Sequence, residues 1–196
     1  MVLLNLSNAG VYTVNGSSID SVDVTNGSKV LFTNCVQTSN GLIVLQTGGS
    51  TMTIVGCRLS GTLINNSTDP NNILQISSSR INILSTNGGV SAGGTTRCDN
   101  CVIVGNVDIG SRLTNQTTMM FNNCTFLDNI YITSGSTNAT VKLAHCVFYT
   151  SSSPCINQLD PGANGNTLFS SGDNVMVSVA VIASAGFGAS IPFNVA

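Results

Sequence analysis

The chain has little charge. Only 7% of its 196 residues are Asp, Glu, Lys or Arg, against about 25% in an average soluble domain. Its acids are all aspartates: Asp20, Asp23, Asp69, Asp99, Asp108, Asp128, Asp160 and Asp173. The cations Lys29, Arg58, Arg80, Arg97, Arg112 and Lys142 are scattered singly. With no basic stripe to neutralise phosphates, nucleic acid is not an expected partner. A net charge of −2 gives weak protection against self-association, so the chain is expected to live against neighbours. No apolar run approaches the ~20 residues of a membrane helix, and no membrane span is expected. The stretch from Met1 to Asn8 lacks the charged start and long apolar core of a secretory signal. Either a mature fragment or a protein made without the secretory route is expected. Catalytic signatures are scarce as well. His145 is the only histidine, and neither a His-Glu-x-x-His motif nor a phosphate loop is present.

What the chain does have is a column of small residues: Cys35, Cys57, Ser79, Cys101, Cys124 and Cys146. The steps along it are nearly constant, with one longer than the rest by a single position, between Cys101 and Cys124. A regular period of this size means stacked units. Three positions earlier stand Phe32, Ile54, Ile76, Cys98, Phe121 and Leu143. Five positions earlier stand Val30, Met52, Leu74, Thr96, Met119 and Val141, apolar except for Thr96. The position between those two is mixed and partly charged: Leu31, Thr53, Gln75, Arg97, Met120 and Lys142. Two positions after the column come Gln37, Leu59, Ile81, Ile103, Phe126 and Phe148, apolar after the first copy. This alternation has period two, so each repeat carries a short strand with one face in and one out. A lone strand cannot bury its inner face; strands stacked about 4.8 Å apart can. The sequence therefore predicts an all-β fold, a parallel β-helix with about 22 residues per coil.

The columns resemble the apolar and asparagine ladders of right-handed parallel β-helices of the pectate-lyase-like superfamily. The position just before the column holds Asn34, Gly56, Ser78, Asn100, Asn123 and His145, which is similar to the asparagine ladder at the tight turn of that fold. The resemblance covers about residues 22 to 150. It implies architecture more than activity, because enzymes, phage tailspikes, virion proteins and adhesins share the coil.

The expected organisation is a β-helix with an N-terminal cap over residues 1–150 and a loop with an apolar C-terminal cap over 151–196. A second inward set should hold Leu42 and Val44, Leu63 or Ile64, Ile83 or Leu84, Val107 and Ile109, and Ile130 and Ile132. In the last segment, Val175, Val177, Val179 and Val181 alternate with other apolar or small residues, and Phe187 and Phe193 follow. A strand apolar on both faces must be covered on both. These six residues are the candidates for assembly.

Few groups invite chemistry. Asp108 and Asp128 fall on adjacent coils, and glycoside hydrolysis uses two carboxylates about 5 to 9.5 Å apart. A single Asp in an Asn-rich turn is ordinarily a turn former. The superfamily's lyases carry an Asp cluster for calcium, and its polygalacturonase branch carries paired Asp motifs; neither is found in this sequence. Cys98-Asp99-Asn100-Cys101 invites zinc, but a structural zinc wants four ligands and no second pair exists. The seven cysteines read as small hydrophobes stacked in register, with disulfides as the other reading. Lys29, Thr51, Ile73, Thr95, Thr118 and Thr140 form an outward column of the kind ice-binding coils use, but the neighbouring column is not threonine. Threonine also favours strands in general.

The resulting expectation is a structural, non-enzymatic component of a larger assembly, without cofactor or metal. It looks like a minor capsid or spike protein located in a virion, partnered by capsid proteins, other structural proteins or its own copies as a homotrimer. The alternative is a polysaccharide-binding coil, extracellular or at a cell surface; least favoured is a polysaccharide lyase or hydrolase.

Overall fold

Stretches of alternating apolar and polar residues become short strands in every repeat. In the computed structural model these strands stack into a parallel β-solenoid. The structure describes residues 3–46, 48–66, 69–86, 94–110, 117–132, 138–150, 155–158, 166–171, 173–177 and 194–195. No helix occurs among them.

One sheet has eight strands in chain order, from Val11–Asn15 and Lys29–Thr33 to Thr140–Ala144 and Thr167–Ser171. Its register follows the sequence period: Lys29, Thr51, Ile73, Thr95, Thr118 and Thr140 lie directly opposite one another. The columns three and five residues before the cysteines point inward and are buried. The other sheet has fifteen strands in two arms. The long strands Arg58–Asn65 and Arg80–Ser85 run through both arms. Elsewhere the arms are separate, as in Val102–Ile103 and Val107–Ile109.

In the second arm the first expected inward pair is wrong by one position. Ile43 and Leu45 are buried, whereas Leu42 is 49% exposed. Val22 pairs with Ile43 and Ile43 with Leu63, and both steps fall short of the period of the cysteine column. A shift of one residue moves a strand's side chains to the opposite face. Leu63 and Leu84 are the inward members of the next two alternatives, and Val107, Ile109, Ile130 and Ile132 are inward as expected.

The coil also extends beyond the stretch in which the period is visible. Ahead of it, Leu3–Leu6 pairs with Ser21–Val24, and Val11–Asn15 pairs with Lys29–Thr33. Behind it, Ile156–Gln158, Thr167–Ser171 and Val175–Met176 pair in parallel with the preceding rung. Thr140 pairs with Thr167. This coil is longer than those before it, and the added connection hides the repeat from a fixed-period reading.

The interior is one continuous apolar column of Val, Leu, Ile, Met, Phe and Cys. Phe126 stacks on Phe148 with ring centroids 4.6 Å apart and meets Phe121 edge-on at 5.0 Å. Such ring pairs contribute about 0.5–1.5 kcal/mol beyond their area burial. Phe126→Ala removes both contacts and opens a cavity. A loss of about 3–5 kcal/mol in unfolding free energy is expected in urea titrations, with an unchanged parallel-β circular dichroism spectrum in water.

Candidate functional site

The cysteine column is the most regular constellation in the molecule. Each member follows a residue in the left-handed conformation: Asn34, Gly56, Ser78, Asn100, Asn123 and His145 have φ between 49° and 63°. Asn reaches this region more readily than most residues, and Gly without strain. At Gly56 a Cβ would lie 2.8 Å from the Asn34 amide oxygen, so a side chain there would require the Asn34 amide to shift. His145 is an exposed member of this turn ladder.

After the turn, the N–H of the column residue points to the next rung. Cys35 N–H donates to Cys57 Sγ at 3.3 Å and Cys57 N–H to Ser79 Oγ at 3.0 Å. The N–H groups of Ser79, Cys101 and Cys124 lie likewise against Cys101, Cys124 and Cys146. Cys146 N–H donates to Asn174 Oδ1 at 2.7 Å. In return, Ser79 Oγ donates to Ser77 O at 2.8 Å, and the thiols of Cys35, Cys57, Cys101, Cys124 and Cys146 sit 3.3–3.4 Å from the carbonyl two residues back. The column is therefore a chain of hydrogen bonds as well as a stack of small side chains. Its members accept a buried N–H, which an apolar side chain of the same size cannot do. Two members escape the sequence period. Ser17 occupies the position one rung before Cys35, since Val36 N–H donates to Ser17 O. Asn174 closes the other end.

Two irregularities in the apolar columns have local explanations. Gln37 bridges backbone at a bend: its Nε2 donates to Asp20 O and Gly41 O, and its Oε1 accepts from Gly61 N–H. At Gly61 a Cβ would fall 2.1 Å from Gly41 O, so backbone fills that corner. Thr96 is fully buried, and its Oγ1 accepts from Asn65 Nδ2 at 3.1 Å across the interior.

All seven cysteines are buried free thiols. Cys98 and Cys101 come together in the core, and contact between their thiols adds to burial in holding Cys98 well above its ordinary range. The contact between Cys101 and Cys124 holds the Cys101 thiol below its ordinary range and the Cys124 thiol above it. Burial pushes Cys155 up to about 11. Among the described residues, no three His, Cys or Asp side chains are arranged to hold a metal. Ser79 separates the two roles of the column. Ser79→Ala strips the acceptor from Cys57 N–H and should cost about 1–3 kcal/mol in urea unfolding. Ser79→Cys keeps it and should cost less than half as much; equal losses would reduce the column to packing alone.

The aspartates divide by environment. Asp69 and Asp128 accept from Asn71 N–H and Asn129 N–H respectively, as turn formers do. Asp99 pairs with Arg97 at 2.7 Å. Asp108 differs: burial raises its carboxyl above the ordinary 3.8, and the charge of Asp128 adds to the shift. The structure thus brings together the two carboxylates that the sequence suggested. Tyr131 lies opposite Asp108 on the next rung, and its hydroxyl accepts from Asn129 Nδ2. A raised folded-state pKa means that the folded state binds this proton more tightly. The stabilisation from Asp108 is therefore full at low pH and is lost as pH rises from 3.8 through the raised value. Asp108→Asn is expected to raise the melting temperature at pH 7 and to flatten its acid-side slope, as read by differential scanning calorimetry from pH 3 to 8.

Of the assembly candidates, Val175 lies in the strand Val175–Met176, and Val177 N–H donates to Phe148 O just beyond it. Val179, Val181, Phe187 and Phe193 lie outside the described residues. On the outer face of the eight-stranded sheet, Arg97, Asp99, Met120, Asn122, Lys142 and Ser171 line a groove of about 220 Å³. Lys142 Nζ stands 5.9 Å from the ring centre of Phe169, which is 52% exposed. Compared with models of known protein families, with curated proteins and with solved structures, the chain matches none.

Proposed function

We propose that the chain is a structural, non-enzymatic β-helix that serves as one component of a larger assembly, of the kind a virion uses as a minor capsid or spike protein. The observation that supports this reading is the first rung. Leu4, Leu6, Tyr12 and Val14 stand in inward columns but are only partly buried. Their partners one rung later, Val22, Val24, Val30 and Phe32, are at most 3% exposed. Val11 beside them is 81% exposed. Among the described residues nothing covers this end, and an apolar rung with a free strand edge is a template for another chain. The sparse surface charge, with one ion pair among the described residues, also suits close packing against neighbours. Capsid proteins, other structural proteins or further copies of the chain are the partners this reading implies.

A second reading, a glycan-binding coil, is favoured by the groove beside Phe169. An exposed aromatic face next to Arg, Asp, Asn and Lys side chains combines apolar and polar contacts suited to a sugar ring. A hydrolase reading would rest on Asp108 and Asp128 and is the least favoured, because Asp128 is already engaged by the turn at Asn129.

Light scattering after size exclusion tests the first reading. The expected mass exceeds the 20.2 kDa monomer and rises with concentration. Leu6→Lys combined with Tyr12→Lys should return a monomer with an unchanged circular dichroism spectrum. A wild-type monomer at every concentration would overturn self-assembly through this end.

A further inference from the structure

Immediately after the cysteine column runs an outward column: Val36, Arg58, Arg80, Val102, Thr125, Val147 and Val175. It places Arg58 directly opposite Arg80 on the next rung. Rungs are about 4.8 Å apart, and like charges directly opposite each other in a sheet are destabilising. Both arginines are exposed. The one ion pair among the described residues uses Arg97, and Lys142 is taken up by Phe169. Neither Arg58 nor Arg80 therefore has a carboxylate or ring partner among the described residues. The chain has only six cations, and two of them share this patch.

The surroundings form a shallow groove of about 180 Å³, lined by both arginines with Leu59, Ser60, Asn82 and Val104. Its polar groups are held in place. Ser60 Oγ lies 2.6 Å from Gln37 O and 2.8 Å from Ser39 O, so its one hydroxyl hydrogen is shared between two carbonyls, and Asn82 Nδ2 donates to Ser60 O at 2.9 Å. Val36 and Val102, exposed by 42% and 39%, border the pair along the column. A guanidinium presents a planar fork of donors that matches an oxyanion bidentately, and two forks on adjacent rungs can converge on one group.

We propose that Arg58 and Arg80 form a binding site for a single oxyanion of the sulfate or phosphate type, free or carried on a sugar. The bound anion would offset the repulsion between the two guanidinium groups and fill the polar side of the groove. The site lies on the side of the coil and does not depend on the proposed assembly through the first rung.

The test follows the arginine Nε–Hε signals of the ¹⁵N-labelled protein at constant ionic strength. The probes are sodium sulfate, sodium phosphate, a heparin-derived hexasaccharide and, as control, neutral maltohexaose. Signals of Arg58 and Arg80 should shift together and saturate with at least one anionic probe, while Arg97 stays still. Arg58→Gln or Arg80→Gln should weaken binding about tenfold and leave the fold intact by circular dichroism. Sulfate should also raise the melting temperature of the wild type more than that of either variant, since a ligand of the folded state stabilises it. Saturation by the hexasaccharide without free sulfate or phosphate assigns a glycan-borne group; saturation by the free ions alone assigns an inorganic anion. Shifts that only drift linearly, or that survive both substitutions unchanged, would overturn the site.

Discussion

One buried N–H group per coil governs this structure. A left-handed residue turns the chain so that the next N–H leaves the strand ladder and points at the following rung. Left unpaired in the core, such a donor costs about 1–3 kcal/mol. The acceptor comes from the side chain one rung on, so every coil is completed by its neighbour. The carbonyl of the same residue accepts from the N–H that starts the neighbour's next strand, as Cys35 O does from Arg58. Register is thereby set twice at one position, by backbone and by side chain. This explains why sulfur, hydroxyl and amide interchange at Cys57, Ser79 and Asn174 while an aliphatic residue does not appear in the column.

The fold was legible because an inward-outward alternation of period two recurs at a nearly constant step. It became illegible where the step changed. The stretch from Ser17 to Cys35 is shorter than a regular coil, and that from Cys146 to Asn174 is longer. Both column ends therefore fall outside the fixed period. The same variation in connection length moved the inward pair from Leu42 and Val44 to Ile43 and Leu45. Gln37 and Thr96 stand out as polar members of apolar columns because a pattern of hydrophobicity does not register the bond that Asn65 donates to Thr96 or the bend at Gly41 and Gly61.

The outer faces follow another logic. A solenoid converts one full period of sequence separation into a single rung spacing, so charges that look isolated in sequence become neighbours. Arg58 and Arg80 are the clearest case, and the column one position past the cysteines was the signal that could have found them. Asp108 and Asp128 also stand on adjacent coils, and the charge of Asp128 adds to the rise of the Asp108 pKa. With few charges in the chain, the register decides where electrostatics can act at all.

The first rung bears on what could cover it. Among the described residues, Leu3–Leu6, Val11–Asn15 and Ser18–Ile19 each pair with a strand on one side only. Among those residues the three strands share one rung, each with a backbone edge that has no strand partner, above partly buried Leu4, Leu6, Tyr12 and Val14. A helix would cover the apolar side chains but leave those edges without partners, because its own backbone bonds are internal. A further coil satisfies both requirements at once by adding parallel strands and extending the inward columns. The same directional bonding that stacks the coils within the chain therefore fits this rung to a β-strand segment in register better than to a helix.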